Sequence, residues 1–391
     1  MTTDDPAPRS AETLLTHGGR HPERDRGYVN TPVYRGSTIV FPTLDALEST
    51  EPRFDYGRTG NPSSAAVEEV VTALEGAAGT VLAPSGLAAI SLALLTVLDA
   101  GDELIVSDSA YQPTRRVSDG VLSRFGVTVR YVDPRVAGGI ATTIGERTKA
   151  IFVESPGSLT FEVQDLPAIA AVAKERGIAI IVDNSWATPL YYHPLALGAD
   201  LVIHAGTKMF VGHSDAMFGT VSANAKWYRQ LKDTHLRLGL CASPDDCFLA
   251  ARGLRTLALR MKEHSARSTA LAAWLEGQPG VRRVIHPALP SHPDHALFKR
   301  DFSGAGSVFS VLLDPKPRAA LAAMVDGFSL FSMGWSWGGY ESLCLPITPD
   351  KARSAVPWTE PGPMLRIHTG LEGLDDLKAD LAAALTRYAA A

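Results

Sequence analysis

The sequence predicts an α/β protein with a mostly parallel central sheet and a smaller α/β unit at its C-terminal end. Between residues 62 and 223, short β-branched apolar runs alternate with segments of helical periodicity, which is the pattern of a parallel sheet covered by helices. Several runs, among them IAIIV at 178–182, are continuously apolar, as strands buried on both faces are. A second set of strand and helix patterns begins near residue 307.

The length of the chain predicts more than one domain. Its 391 residues exceed the size at which a single core usually stops growing, so we expect a large domain and a smaller one. Residues 1–60 have few helix signals and many Pro, Gly and Asn residues, which predicts an extended arm that packs on a neighbouring subunit. We assign residues 61–255 to the large domain and residues 256–391 to the small C-terminal domain.

The elements of the large domain can be predicted in order. After Asn61, apolar residues recur at spacings of three and four from Ala66 to Leu74, which predicts a helix that ends at the C-cap Gly76. Further helices are predicted at 87–98, about 113–125 and 166–177, and strands at 80–83, 103–108, 127–132, 149–154, 178–183 and 200–205.

The rest of the chain predicts the bridge between the domains and the smaller α/β unit. Residues 225–275 have mostly helical patterns. The small domain is predicted to contain strands at 307–314 and 363–371, a helix at 317–325, a glycine-rich loop at 333–343 and a closing helix from Leu374.

The charge and hydropathy of the chain argue against nucleic acid and membranes as binding partners. The chain has 37 basic and 42 acidic side chains and a net charge of −5, without the positive charge of a nucleic-acid-binding protein. Its polar, acidic N-terminus lacks the apolar region of a signal peptide, and no run of 18 apolar residues predicts a membrane span. We therefore expect a cytoplasmic protein that binds small molecules rather than nucleic acid or a membrane.

Metal and nucleotide motifs are absent from the sequence. Cys241, Cys247 and Cys344 are too few and too scattered for a disulfide framework or a CxxC metal site. His292 and His295 flank a proline that breaks helical geometry, so no metal is expected. There is no GxGxxG after a strand and no GxxxxGK[ST], which leaves a dehydrogenase as an alternative at the level of the fold only.

Lys208 and Asp183 are the first candidates for a functional site. Asp183 ends one predicted strand and Lys208 follows the next, so two opposite charges lie at the carboxyl edge of the sheet, where open α/β sheets bind ligands. Lys208 precedes the apolar residues 209–211, and an ammonium group in such surroundings is costly unless it has a use in a dry site. The alternatives are a lysine that turns outward and an aspartate that caps a turn.

Other polar or small residues also follow predicted strands. Gly86 and Leu87 begin a helix, where a glycine backbone and free N–H groups suit a phosphate, although an ordinary turn is the alternative. Thr207 offers a hydroxyl to the same anion, or is simply a turn residue. Tyr111 offers an aromatic face to a flat cofactor, and its alternative is core packing.

Two further segments contain candidate residues. Arg366 lies in the apolar stretch PMLRIHTG, and its planar guanidinium suits a carboxylate, although strand alternation would also allow it to point to water. Tyr56 and Arg58 lie among turn residues in the stretch 54–62, which by itself predicts only a loop.

Seven motifs together resemble the pyridoxal-phosphate (PLP) enzymes of cysteine and methionine metabolism. They are, in order, YGRTGNP, PSGLAAI, SAYQPT, VDNSWATP, HAGTKMFVGHSD, WGGYESL and LRIHTGLE, and the resemblance extends from about residue 15 to the C-terminus. It implies the type I PLP-dependent transferase fold, as in aspartate aminotransferase, with PLP bound in the large domain. It also implies a homotetramer built from dimers with shared active sites.

The resemblance implies a role for each candidate residue. Lys208 would bind PLP covalently and act as the base, Asp183 would bind the pyridine nitrogen, and Tyr111 would stack on the ring. Gly86, Leu87 and Thr207 would bind the phosphate, and Tyr56 and Arg58 would come from the neighbouring subunit. The substrate would be bound by Arg366, Ser336, Trp337 and Tyr56. The catalytic residues would be Lys208, Tyr111 and Tyr56. Ala205 replaces a serine with which many relatives bind the phosphate, so one contact is missing.

The loop WSWGGYESL is most similar to the β-lyases of this family. The resemblance therefore implies a carbon–sulfur β-lyase that cleaves cystathionine to homocysteine, pyruvate and ammonia. The γ-lyases and γ-replacement enzymes share the cofactor residues but usually lack the tryptophan before the two glycines, and they are the alternative. A PLP-binding regulatory protein with residual lyase activity is a third hypothesis.

Overall fold

The computed structural model describes residues 9–49 and 54–391, so predictions for residues 1–8 and 50–53 lie outside the described residues. The strands are β1 (Gly79–Ala83), β2 (Glu103–Ser107), β3 (Thr128–Val132), β4 (Thr148–Glu154), β5 (Ala179–Asp183), β6 (Leu201–His204), β7 (Gly219–Ala223), β8 (Val281–Ile285), β9 (Val308–Leu313), β10 (Leu343–Ile347) and β11 (Met364–His368).

The α-helices precede, connect and cover these strands. They are α1 (Ala11–His17), α2 (Leu44–Glu48), α3 (Pro62–Glu75), α4 (Gly86–Val97), α5 (Gln112–Val117), α6 (Leu166–Glu175), α7 (Thr188–Tyr191), α8 (Tyr228–Leu238), α9 (Pro244–Leu254), α10 (Leu257–Leu275), α11 (His295–Asp301), α12 (Arg318–Val325) and α13 (Leu374–Ala390).

The large sheet has seven strands in the order β1-β7-β6-β5-β4-β2-β3. Only the pairs of β7 with β1 and with β6 are antiparallel, so the predicted mostly parallel sheet is confirmed. The inner strands β5, β6 and β7 are buried along their whole length. Helix α4 covers one face of all three strands, and α6 with part of the small domain covers the other face of β5 and β6. The parallel strands β4, β5 and β6 therefore end side by side at one edge.

The small domain contains an antiparallel sheet in the order β10-β11-β9-β8. Apolar residues of α10, α12 and α13 pack together with this sheet in one core. The sheet meets the large domain at Trp186, whose indole Nε1–H donates to the carbonyl oxygen of Val308 at 2.8 Å. This contact places β11, which contains Arg366, beside the carboxyl edge of the large sheet.

The arm and the first long helix agree only in part with the sequence predictions. Helix α3 has a capping box between Asn61 and Ser64 and ends at Gly76 with φ +62°, as predicted. Within the arm, however, α1 is helical, and its Leu15 is buried against α3 and α10. The beginning of the arm thus packs on its own chain because Leu15 completes an apolar core.

The helix predicted at about 113–125 is interrupted. Helix α5 ends at Val117, a π-helical turn covers Ser118–Leu122 and a 3-10 turn covers Ser123–Phe125. None of the helices in the described ranges is long and apolar enough to cross a membrane.

Candidate active site

Two carboxyl groups end neighbouring strands at the carboxyl edge of the sheet. Asp183 is the last residue of β5, and Glu154, the last residue of β4, is its partner in the parallel register. Strand β6 ends at His204, and Lys208 lies in the turn that follows. Parallel pairing therefore brings the two predicted residues, Asp183 and Lys208, to the same edge, together with a glutamate that the sequence analysis did not single out.

Lys208 is held in place by its apolar neighbours. Its N–H donates to the carbonyl oxygen of Ala205 at 2.9 Å, and Met209, Phe210 and Val211 are buried in the core below α3. The side chain of Lys208 is half-buried, and Nζ donates to Ser336 Oγ at 2.6 Å. The apolar residues thus anchor the turn, and the lysine points towards the small domain rather than to water.

The surroundings of Lys208 favour a neutral amine. Burial and the nearby positive charge of Arg366 lower the pKa of Lys208 to about 8, although the carboxylate of Asp183 acts in the opposite direction. The lysine Nζ also lies 5.4 Å from the ring centroid of Trp337. A lysine with such a pKa is neutral often enough to act as a nucleophile or a base near physiological pH.

One carboxylate oxygen of Asp183 accepts hydrogen bonds from the protein, and the other is free to bind a ligand. Its Oδ1 accepts hydrogen bonds from Ser185 N–H at 2.9 Å and Ser185 Oγ–H at 2.6 Å, whereas Oδ2 has no hydrogen-bond partner among the described residues. Burial raises the pKa of Asp183, and the Ser185 hydrogen bonds and the positive potential of His204 and Lys208 oppose this rise. The open oxygen suits a protonated ring nitrogen, which would compensate the buried charge.

The loop that carries Ser336 packs directly on the lysine. Ser336 has φ +74°, an uncommon conformation for a residue with a side chain, and accepts the Lys208 hydrogen bond. Gly338 has φ +96°, and a Cβ there would lie 2.9 Å from Lys208 Cα. Only glycine allows this approach, so the SWGG sequence fixes the loop against the lysine.

Arg366 is turned towards the same loop. It lies in the middle of β11, and its Nη2 donates to the carbonyl oxygens of Ser336 at 2.8 Å and Gly334 at 3.3 Å. Burial lowers the pKa of Arg366, and within the described ranges no carboxylate is paired with it. The guanidinium is therefore turned towards the loop and is available to a carboxylate ligand.

The N-terminus of α4 presents free backbone donors. Ser85 caps the helix by accepting from Ala88 N–H at 3.1 Å, which leaves the N–H groups of Gly86 and Leu87 without acceptors in the described part of the chain. A Cβ at Gly86 would lie 2.6 Å from the methyl carbon of Ala205, so glycine permits the helix to start beside the turn that leads to Lys208.

The hydroxyl of Thr207 already forms hydrogen bonds with the backbone. Its hydroxyl accepts from Phe218 N–H at 2.8 Å and lies 3.1 Å from the Phe218 carbonyl oxygen. The hydroxyl therefore links the turn after β6 to the start of β7, and its proton would have to rotate to reach an anion. The backbone of α4 is the more direct donor to a phosphate.

Tyr111 is brought to the site, whereas Tyr56 and Arg58 are not. Tyr111 precedes α5, and burial and the negative charges of Glu154 and Asp183 raise the pKa of its hydroxyl. Tyr56 is exposed, and Arg58 donates from Nη1 to the carbonyl oxygen of Leu236 at 2.9 Å. Neither residue forms a recorded contact with Lys208 within the described chain.

The structure also reveals residues that sequence reasoning missed. Ser185 orients Asp183, and its Oγ accepts from Ala205 N–H at 2.7 Å. His368 accepts from Gly338 N–H at 3.2 Å, and burial lowers its pKa to about 3, so it is a neutral acceptor that holds the loop. Glu154 could have been found from the sequence, because like Asp183 it is an acidic residue at the end of an apolar strand. Ser185 and His368 could not, because their roles depend on tertiary contacts.

Comparison with known proteins decides the family. A profile of the family described as "Cys/Met metabolism PLP-dependent enzyme" matches residues 12–386. The chain belongs to this family. It is 46% identical over 373 residues to a putative cystathionine β-lyase of Rhizobium johnstonii, covering 94% of each chain. It is 39% identical over 392 residues to the cystathionine β-lyase of Salmonella typhimurium, covering 97% of this chain and 99% of the relative.

A solved structure of the family has the same fold. The crystal structure of cystathionine γ-synthase from Xanthomonas oryzae in complex with aminoacrylate and cysteine matches with a TM-score of 0.92 at 34% identity, covering 98% of this chain and 100% of that one. The predicted type I PLP-dependent transferase fold and the predicted cofactor, PLP, are thereby confirmed.

The side chains at the edge of the sheet fit PLP chemically. The amine of Lys208 suits its aldehyde, the open oxygen of Asp183 suits its ring nitrogen, and the N-terminus of α4 suits its phosphate. Among residues 9–49 and 54–391, no group of three or more His, Cys, Asp or Glu side chains is arranged to hold a metal ion.

Proposed function

We propose that this PLP-dependent enzyme is a carbon–sulfur β-lyase that cleaves L-cystathionine to homocysteine, pyruvate and ammonia. The observation that carries the proposal is the meeting of Lys208 and Arg366 at Ser336, with Asp183 near enough to Lys208 to act on its charge. Relatives of the chain at 46% and 39% identity are named putative cystathionine β-lyase and cystathionine β-lyase. Lys208 and Arg366 are 158 positions apart in sequence, and both contact Ser336.

The proposed roles of the cofactor-binding residues follow from their contacts. Lys208 attaches PLP, and Asp183 binds its ring nitrogen through the open Oδ2. Gly86 and Leu87 donate backbone N–H groups to the phosphate, and Thr207 adds its hydroxyl once its proton rotates. Ala205 offers no side-chain donor, so the backbone carries more of the phosphate binding than in relatives with serine there.

The proposed substrate contacts lie on the other side of Lys208. Arg366 holds the α-carboxylate of the substrate, with Ser336 and Trp337 beside it, and the aromatic ring of Tyr111 covers the cofactor ring. These contacts fix the Cα–H bond relative to Lys208, which is the positioning that proton transfer requires.

The proposed reaction removes one proton and breaks one carbon–sulfur bond. When bound, PLP supplies an electron sink for the pair released at Cα. The substrate amine would replace Lys208 on the cofactor, and the freed Lys208 amine would take the Cα proton. The sulfur at Cβ would then leave with the electrons of the C–S bond and be protonated to the thiol of homocysteine. Water then converts the three-carbon remainder to pyruvate and ammonia, which balances the reaction.

A product assay with L-cystathionine tests the proposal. The holoenzyme is expected to release pyruvate and homocysteine in equal amounts, measured by separation and identification of both products. Release of 2-oxobutyrate and cysteine would show γ-cleavage instead, and absence of turnover would contradict both activities and favour a PLP-binding regulatory protein. Parallel assays with cystine and with a γ-substrate measure how narrowly the site selects, since one methylene group is worth only about 1–3 kcal/mol in an apolar pocket.

The γ-lyase or γ-replacement activity is the second candidate because the X. oryzae γ-synthase has the same fold. Both reactions use the same cofactor residues, but γ chemistry also requires removal of a proton at Cβ. The contact of Lys208 with Ser336 and Trp337 favours the β-lyase, since this loop is the part of the site that resembles β-lyases.

The role of Arg366 predicts a defect in substrate binding. Arg366→Lys keeps the positive charge but removes the planar fork, so KM for L-cystathionine is expected to rise about tenfold or more, with a smaller change in kcat. Steady-state kinetics measures both constants. Arg229→Lys on the exposed side of α8 is the matched control and should resemble the wild type. An unchanged KM in Arg366→Lys would contradict the assignment.

We also propose that the protein works as a homotetramer of dimers with shared active sites in the cytoplasm. Support comes from the arm, whose Tyr28, Val29 and Val40 are exposed apolar residues. It also comes from Tyr56 and Arg58, which form no recorded contact with Lys208 in the described chain, as expected if they complete the site of a neighbouring subunit.

Mixing two inactive variants tests the shared site. Arg58→Ala and Lys208→Ala subunits, co-expressed with different tags, should regain about a quarter of wild-type turnover, because half of the pairs are mixed and each mixed pair has one intact site. Each variant expressed alone is the control. Mixed pairs that are isolated through both tags but remain inactive would contradict the assignment of Arg58 to the neighbouring site.

A further inference from the structure

Glu154 is a half-buried acidic residue that the proposed reaction does not use. It ends β4 directly beside Asp183 at the end of β5, and both side chains lie at the carboxyl edge of the sheet. No arginine or lysine forms an ion pair with Glu154 within the described ranges. A second carboxyl group beside the cofactor-binding carboxylate therefore needs a physical explanation, since like charges in one site repel.

Each oxygen of Glu154 has a neutral hydrogen-bond partner. Oε2 accepts from the backbone N–H of Tyr111 at 2.6 Å, and Oε1 pairs with Ser158 Oγ at 2.6 Å. The Tyr111 N–H is one of the donors at the start of α5 that have no acceptor within the helix. Glu154 thus ties the first turn of α5, and with it Tyr111, to the end of β4.

The charges around Glu154 favour its protonated form. Burial, together with the negative charge of Asp183, raises the pKa of Glu154 to about 8. Among the residues that the structure describes, the Tyr111 hydroxyl also acts on Glu154 and is neutral in this range, whereas Lys208 and His204 lower the pKa of Asp183. Burial raises the pKa of Asp183 as well, but the positive neighbours lie on its side, which favours Asp183 as the member of the pair that keeps its negative charge.

We propose that Glu154 is a positioning residue of the active site. It holds Tyr111 through the backbone, and it carries the proton of the Glu154–Asp183 pair, so that Asp183 remains the carboxylate that faces the ring nitrogen. The proposal rests on the cofactor site described above. It extends that site by a residue that touches neither cofactor nor substrate.

The proton on Glu154 can be tested on the cofactor-free protein. Folded wild-type protein keeps this proton up to about pH 8, whereas the unfolded chain loses it near pH 4.5, so this group makes the folded state less stable as the pH rises between these values. Glu154→Gln mimics the protonated acid and cannot ionise, so its folded state does not lose stability in this way as the pH rises. The unfolding temperature of Glu154→Gln minus that of the wild type is therefore expected to increase from about pH 5 to about pH 8.

The control for this measurement is Glu146→Gln, which neutralises an exposed glutamate of the same domain. Its unfolding temperature should follow the wild-type curve at a constant offset. Parallel curves for Glu154→Gln and the wild type would overturn the proposal. Because no cofactor is present, this result does not depend on whether the protein is a β-lyase.

The positioning of Tyr111 is tested on the holoenzyme. Glu154→Gln retains an oxygen that accepts from Tyr111 N–H, and is expected to keep kcat at pH 7 within about threefold of the wild type, whereas Glu154→Ala should lower kcat about tenfold or more and retain PLP less well. Turnover and the visible absorbance of bound PLP after dialysis measure these effects. Equal behaviour of the two variants would overturn the proposal, and failure of the wild type itself to bind PLP would instead overturn the proposed function.

Discussion

Lys208→Ala is expected to lower kcat for L-cystathionine cleavage by about a thousandfold or more, because the side chain that attaches the cofactor also serves as the base on Cα. The fold should persist, since Met209, Phe210 and Val211 continue to anchor the turn. Reduction of the wild-type holoenzyme with borohydride, followed by peptide mapping, should find the cofactor on Lys208, and the variant should carry none there.

The lowered pKa of Lys208 adds a pH dependence to this prediction. In cofactor-free wild-type protein half of the Lys208 amine is neutral at about pH 8, so the rate of covalent PLP attachment should rise through this pH and level off only above it. Lys262→Ala, which removes an exposed lysine of α10, is the matched control and should react like the wild type. Cofactor attached at another lysine, or normal turnover by Lys208→Ala, would contradict the assignment.

The central sheet could be predicted from the sequence because its strands differ from the rest of the chain in composition. Strands such as β5 are continuous apolar runs, and burial on both faces demands that composition. Strand β7 was missed because GTVSA is short and contains Gly, Thr and Ser, and it becomes a strand through pairing with β1 and β6. Strand β10 was missed because Pro346 disfavours a strand in general, although an edge strand tolerates it.

The candidate site could be predicted as far as its residues follow strands. Asp183, Lys208 and Tyr111 each follow an apolar run, so topology alone brings them to one edge. Arg366 and Ser336 meet Lys208 only because the small domain packs on the large one, a contact that no local pattern encodes. The resemblance to the family supplied this information.

The two hydrogen bonds of Thr207 show that the hydrogen-bond partners of a side chain could not be predicted from the sequence. Its position beside Lys208 suggested a phosphate ligand, yet the hydroxyl is paired with the backbone of Phe218. A hydroxyl can donate only one hydrogen bond, because it has a single proton. Which acceptor receives that bond depends on the tertiary structure around Thr207 and not on the sequence motif that contains it.

Asp183→Asn is expected to lower kcat about a hundredfold or more while leaving the fold unchanged. Asparagine has the same shape and its Oδ1 accepts from Ser185 N–H as before, but it carries no negative charge to stabilise a protonated ring nitrogen. The electron pair released at Cα is then taken up less well, so the loss should appear in kcat more than in KM. Steady-state kinetics on PLP-saturated protein separates the two constants.

The control for this loss is Asp233→Asn on the exposed face of α8, which removes the same charge from the chain without touching the site. It should match the wild type in both constants. Since Asp183 lies between the positive potential of Lys208 and the carboxyl group of Glu154, removal of its charge should also favour ionisation of Glu154 at lower pH. Wild-type kcat in Asp183→Asn would contradict the assignment of Asp183 to the ring nitrogen.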